Sequence, residues 1–110
     1  MSSSSGQERS VPREQGEPSP RKPWLWHVVL LDDQEHSYDY VIRMVQELFG
    51  TSAARASQIA ATVDEHGRAI VMTTHQELAE LKREQILAYG RDPQLSASTG
   101  SMQAVIEPAE

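Results

Sequence analysis

Trp26-His27-Val28-Val29-Leu30-Leu31 runs straight into Asp32-Asp33-Gln34-Glu35-His36-Ser37. The first six residues have the length and β-branched content of a buried strand. The polar six end in Ser37, a good helix N-cap, with Asp39 in the first turn favourable to the helix dipole. Val41, Met44, Val45, Leu48 and Phe49 then recur on one helical face, and Gly50 is placed to end the helix. A buried strand that delivers carboxylates to a helix N-terminus makes a rigid, solvent-facing acidic site. Such a site is suited to a cation.

Further along, Ser52 can cap a second helix whose inner face is Ala56, Ile59, Ala60 and Val63. That face is narrow, so the helix should pack closely on its neighbour. His66-Gly67 makes a turn, and Arg68-Ala69-Ile70-Val71-Met72-Thr73 reads as a second strand. Thr74-His75-Gln76-Glu77 has the form of a capping box, followed by a third helix with Leu78, Leu81, Gln85, Ile86 and Tyr89 that closes at Gly90. Residues 91–101 are loop, and Met102 to Glu107 read as a last strand. The order β-α-α-β-α-β predicts an α+β domain: a three-stranded antiparallel sheet with three helices packed on one face.

The 110 residues allow one domain. Residues 1–23 are Ser, Pro, Gly and charge, too poor in apolar surface to offset ordering entropy, and are expected to form a disordered tail. The core is expected over residues 24–107, with 108–110 as a C-terminal end. A formal net charge of −6, with ten Lys and Arg scattered along the chain, argues against nucleic acid. No apolar stretch approaches membrane-spanning length. The absence of cysteine excludes disulfides, thiolate metal sites and a Cys nucleophile. Met1 to Gly6 lacks the apolar segment of a secretory signal, and Glu8, Glu14 and Glu17 suit an organelle transit peptide poorly, so a cytoplasmic location is expected. The four histidines (27, 36, 66 and 75) lack close ligand spacing. Asp32, Asp33, Glu35 and His36 could at most gather a weak divalent site, and neither a metal nor a cofactor is expected. There is no Gly-rich phosphate loop and no Ser-His-Asp set in motif context.

The segment Val28-Val29-Leu30-Leu31-Asp32-Asp33 before a helix, then Ala56-Ser57-Gln58-Ile59, Gly67-Arg68-Ala69 and Glu77-Leu78-Ala79-Glu80-Leu81-Lys82, resembles the ClpS adaptor family in order and spacing. The likeness spans residues 25–107. It implies an adaptor, not an enzyme. Such an adaptor binds bulky hydrophobic N-terminal residues (Leu, Phe, Trp, Tyr) of substrate proteins and delivers them, as a monomer, to a Clp-type AAA+ unfoldase.

The resemblance also implies roles for residues. Asp32, Gln34 and Asp64 match the positions that hold the α-amino group and first peptide unit. His36, Tyr38, Val41, Ala60, Val63 and Met102 match the side-chain pocket. Glu77, Glu80 and Lys82 match the unfoldase interface, and residues 1–23 the flexible tail. The site itself departs from the family pattern: Asp32 stands for an Asn, Gln34 for an acid and Asp64 for a His, while Tyr38 and Ala60 stand where Met is common. Asp32, Gln34 and Asp64 together offer a charge of −2 to an ammonium group, so recognition of a cation should survive with altered geometry. The alternative is a ClpS-like docking regulator of the unfoldase that no longer recognises N-termini.

Overall fold

The computed structural model describes residues 24–96 and 98–109, and the expected tail over 1–23 lies outside them. Six elements follow one another: β1 (Trp26–Leu31), α1 (Tyr38–Phe49), α2 (Ala53–His66), β2 (Arg68–Thr74), α3 (Gln76–Leu87) and β3 (Ala104–Pro108). The sheet is antiparallel in the order β2-β1-β3. Its middle strand is the one with the continuous apolar run, and Val28, Val29 and Leu30 are all fully buried there.

Val28 and Leu30 point into the core beneath the helices. Val29 points to the opposite face and is nevertheless fully buried. The register sets it beside Ile70 and Val105, and the Arg68 guanidinium donates to the Glu107 carboxylate at 2.5 Å across the middle strand. A bulge on β2 breaks the register between Val28↔Met72 and Val29↔Ile70, leaving Val71 as the extra residue. The bulge lets Val71 and Met72 both pack against the core.

The helices form where their caps and apolar spacing demand. Ser37 and Ser52 accept N–H bonds from Tyr40 and Arg55, at 3.2 and 3.1 Å. Gly50 and Gly67 close α1 and α2 in the left-handed region, at φ of 65° and 81°, where a side chain would be strained. α1 packs on α2, α2 on β2, and α3 on β1 and β3. Met44, Val45, Ile59 and Ile86 meet in the core they share. Burying side chains of this size contributes about 1.5–3 kcal/mol each.

Four local expectations differ from what is observed. The third helix, expected to close at Gly90, ends at Leu87 with Ala88 as its cap, short of Tyr89 and Gly90. Thr74 still pairs with Trp26 as strand, so the cap of α3 falls to His75, whose ring accepts from the Leu78 N–H at 3.4 Å. Leu81 lies on the outer face of α3, 51 % exposed. The inner face is Ala79 and Ile86, with Lys82 and Arg83 partly buried between them. Finally, β3 begins at Ala104 and runs through Pro108. The Gln103 carbonyl already accepts from the Leu31 N–H at 3.0 Å, but Met102 turns off the strand line into the core.

Candidate functional site

Pairing of β1 with β2 builds the mouth of a cavity. Leu31 opposes Arg68, and the Asp32 N–H donates to the Gly67 carbonyl at 2.9 Å. That contact lays the end of β1 against the end of α2. Asp64, in the last turn of α2, therefore comes to the same cavity as Asp32. Both carboxylates are on exposed residues, and among the described residues neither is held by a hydrogen bond or an ion pair. A carboxylate in a helix's last turn is disfavoured by the macrodipole, so Asp64 deepens a field that is already negative there.

The neighbouring Asp33 is in a different state. Its carboxylate faces His36 Nδ1 at 2.9 Å and accepts from the Glu35 N–H at 2.8 Å. The His36 side chain is 2 % exposed, and its Nε2 lies 2.7 Å from the Gly100 carbonyl. The ring is thus held between a carboxylate on one side and a carbonyl on the other. The ring also lies on Tyr40, with centroids 4.5 Å apart.

Below the mouth the walls are apolar: Val41 from α1, Ala60 and Val63 from α2, and Met102 after the long loop. All four are buried in the core. Tyr38 completes the wall from the first turn of α1 and is 47 % exposed. The cavity is open to solvent at its mouth and has a volume of about 60 Å³. Among the described residues, no three His, Asp or Glu side chains converge closely enough to hold a metal ion.

Behind the cavity sits a carboxylate that nothing in the sequence pattern flags. Asp92, in the loop after α3, is 1 % exposed. It accepts from the Ser37 N–H at 2.7 Å and from the Gln94 N–H at 2.9 Å, while its own N–H donates to Ser98 Oγ at 2.8 Å. Burial alone would raise its pKa. The Ser37 and Gln94 N–H groups, the Ser37 hydroxyl and the nearby His36 outweigh that and hold it below the ordinary 3.8. Tyr40 moves the other way: burial raises its pKa, only partly opposed by hydrogen bonds from the Met102 N–H and Ser101.

Of the residues expected at the site, Asp32, Asp64, His36, Tyr38, Val41, Ala60, Val63 and Met102 all line this one cavity. Gln34 is exposed and outside the lining, and Asp33 lies there instead. Asp33 and His36 lie in the loop before α1, where no helical spacing marks such a pair. Asp92 gave no signal either, because its partner Ser37 is 55 residues away in sequence.

Comparison with known proteins decides the family. Residues 21–97 match the model of ClpS, the ATP-dependent Clp protease adaptor protein. The chain belongs to the ClpS family. ClpS adapter proteins of Vibrio cholerae serotype O1 and Roseobacter denitrificans are 35 % and 32 % identical to it over 72 and 74 residues. Those alignments cover 66 % and 67 % of this chain and 68 % and 66 % of the relatives. Agrobacterium tumefaciens ClpS2, solved bound to L-phenylalaninamide, shares the fold at a TM-score of 0.67 and 22 % identity. The match covers 79 % of this chain and 99 % of that one. As a ClpS, the protein is an adaptor of the Clp protease and not an enzyme.

The surface expected to meet the unfoldase is divided. Glu77 and Glu80 are exposed on α3, and Glu80 accepts from Gln76 Nε2 at 3.1 Å. Lys82 is turned inward: its ammonium donates to the Leu48 carbonyl at 2.5 Å and lies 5.4 Å from the centre of the Phe49 ring. There it serves the C-terminal end of α1, where a cation complements the helix dipole.

Proposed function

We propose that the cavity receives the N-terminal residue of a substrate protein, which the adaptor then hands to a Clp-type AAA+ unfoldase. The observation that carries this reading is the pair of exposed carboxylates, Asp32 and Asp64, engaged by none of the described residues, at the mouth of a cavity with apolar inner walls. An α-ammonium is a cation with only donors to offer, and it sits beside the apolar side chain of its own residue. No other group of a protein chain combines those features in so short a span. Asp32 and Asp64 take the ammonium, and Val41, Ala60, Val63 and Met102 take the side chain under Tyr38. Asp33 replaces Gln34 at the mouth, leaving Gln34 to the outgoing peptide.

Family membership supports the reading, as does the free amino group of the phenylalanine amide that the ClpS2 structure holds. Delivery would use the exposed Glu77 and Glu80 face together with the residues before Trp24. The volume of about 60 Å³ points to an order among ligands. An apolar cavity that takes benzene measures roughly 150 Å³. Leucine should therefore enter more easily than Phe or Trp, which need Tyr38, the one half-exposed wall, to swing aside.

Fluorescence anisotropy with peptides that differ only at the first residue tests this. The set is Leu, Phe, Trp, Tyr, Ile, Val, Arg, Met and Ala, with an acetylated Leu control. Selective binding of bulky apolar N-termini, abolished by acetylation, is the expected result. Equal affinity for the blocked peptide would sink the ammonium assignment. Binding of none by the folded protein would favour a regulator that docks on the unfoldase without cargo.

A further inference from the structure

The cavity has two kinds of wall. Val41, Ala60 and Val63 sit in the packed interior of α1 and α2, where neighbouring side chains hold them. Tyr38 is placed differently, half exposed outside that core, while Met102 packs in the core but is carried by a loop. Tyr38 opens α1, directly after the cap, and Met102 ends the loop that follows α3. Ahead of Met102, Thr99, Gly100 and Ser101 border an open groove of about 330 Å³, and hydrogen bonds help to place this stretch.

The Asp92 carboxylate makes the link to α1, and the Asp92 backbone N–H and His36 carry it on through the loop. The Asp92 carboxylate takes the Ser37 N–H, one residue before Tyr38, and also the Gln94 N–H of its own loop. Asp92 N–H reaches Ser98, itself 3 % exposed, whose hydroxyl lies 3.4 Å from His36 Nε2. His36 in turn holds Gly100, two residues before Met102. A second tie, the Gly90 N–H to Ser101 Oγ at 2.6 Å, closes the loop on itself.

We propose that Asp92 is a positioning residue for the cavity: its buried carboxylate ties the first turn of α1, which carries Tyr38, to the loop that carries Met102, and so sets the width between these two walls. It touches no ligand. The inference rests on the reading of the cavity as an N-terminal-residue site, but the tie itself can be tested without a ligand. Without the carboxylate the two walls part, the cavity samples wider forms, and the fraction competent to grip a small apolar side chain falls.

The test compares the wild-type chain with Asp92→Asn, which keeps shape and one acceptor but loses the charge, at a temperature where both are folded by circular dichroism. Asp92→Glu, which keeps the charge but moves the carboxylate oxygens by one methylene, is a second variant should Asp92→Asn fail to fold. Arg68→Ala is a control that leaves the tie intact. Amide hydrogen exchange reads the tie: Ser37, Gln94 and the 98–102 segment should lose protection while amides in the middle of α2 and α3 keep theirs. Anisotropy with a Leu-initiated peptide reads the consequence: a loss of about tenfold, with the Leu-over-Phe preference reduced, as expected if the competent fraction falls to a tenth. A merely structural residue would lower all protection alike and leave the Leu/Phe ratio unchanged. Unchanged exchange at Ser37 overturns the proposal, and so does lost protection with unaltered affinity and ratio. A wild-type chain that binds no N-terminal peptide sinks the underlying reading, while the exchange arm still decides whether Asp92 joins the two walls.

Discussion

Asp64 at the cavity mouth and Asp92 behind it are the same residue type in opposite situations. Asp64 stands exposed at the negative end of α2, without a described protein partner. Asp92 is sealed from water and accepts two backbone N–H groups, one of them from the start of α1. The first is free to serve an incoming cation and contributes little to the fold. The second is spent on the fold and has nothing left to offer a ligand. Exposure alone does not separate site from scaffold here, since Asp33 lines the same cavity as Asp64 and is nonetheless engaged by His36. What separates them is whether their acceptor capacity is already used.

The comparison breaks most visibly at Asp92. Asp92→Ala removes the acceptor of two partly buried N–H groups and should cost about 1–3 kcal/mol in urea unfolding. Its acid dependence has a definite sign. The folded-state pKa lies below the ordinary 3.8, so the folded protein binds fewer protons there than the unfolded chain. The stabilisation is fully present above 3.8 and is lost as pH falls through the folded-state value. Asp92→Asn should flatten the stability curve across that acid interval.

Asp64→Ala should do the reverse. Peptide binding should weaken by roughly 1.5–3 kcal/mol, the loss of one charge-assisted bond, with stability within about 0.5 kcal/mol of wild type. A variant that binds normally would mark Asp64 as an ordinary turn residue. Lys82 sharpens the comparison from the cationic side. Lys82→Met keeps the stem and removes the ammonium at the end of α1, so thermal unfolding should show a loss of about 0.3–1 kcal/mol. If Lys82 instead serves mainly the unfoldase, stability will hold and delivery will fail. The smallest effect belongs to Arg68→Ala: its pair with Glu107 is half-exposed, and exposed pairs contribute about 0–1 kcal/mol.

Where the chain's own periodicity carried the information, the fold was legible. The apolar run at 26–31 marked the middle strand, Ser37 and Ser52 marked two caps, and Gly50 and Gly67 marked two stops. α3 was misread in its facing because Lys82 and Arg83, polar by type, bury their stems on the inner side while Leu81 turns out. The capping box failed because strand pairing with Trp26 claimed Thr74. Resemblance placed eight residues that the structure gathers in one cavity, and missed Asp33, whose pairing with His36 no helical spacing marked.

By itself the sequence determined the elements, their order and the side chains available to each, because strand and helix patterns and caps are settled by neighbours within a turn or two. Only the tertiary structure decided which carboxylates are spent. Asp32 meets the end of α2 through the pairing of β1 with β2, and Asp92 meets Ser37 across 55 residues. Those contacts depend on how the sheet registers and where the loop after α3 comes to rest, and no local pattern encodes either.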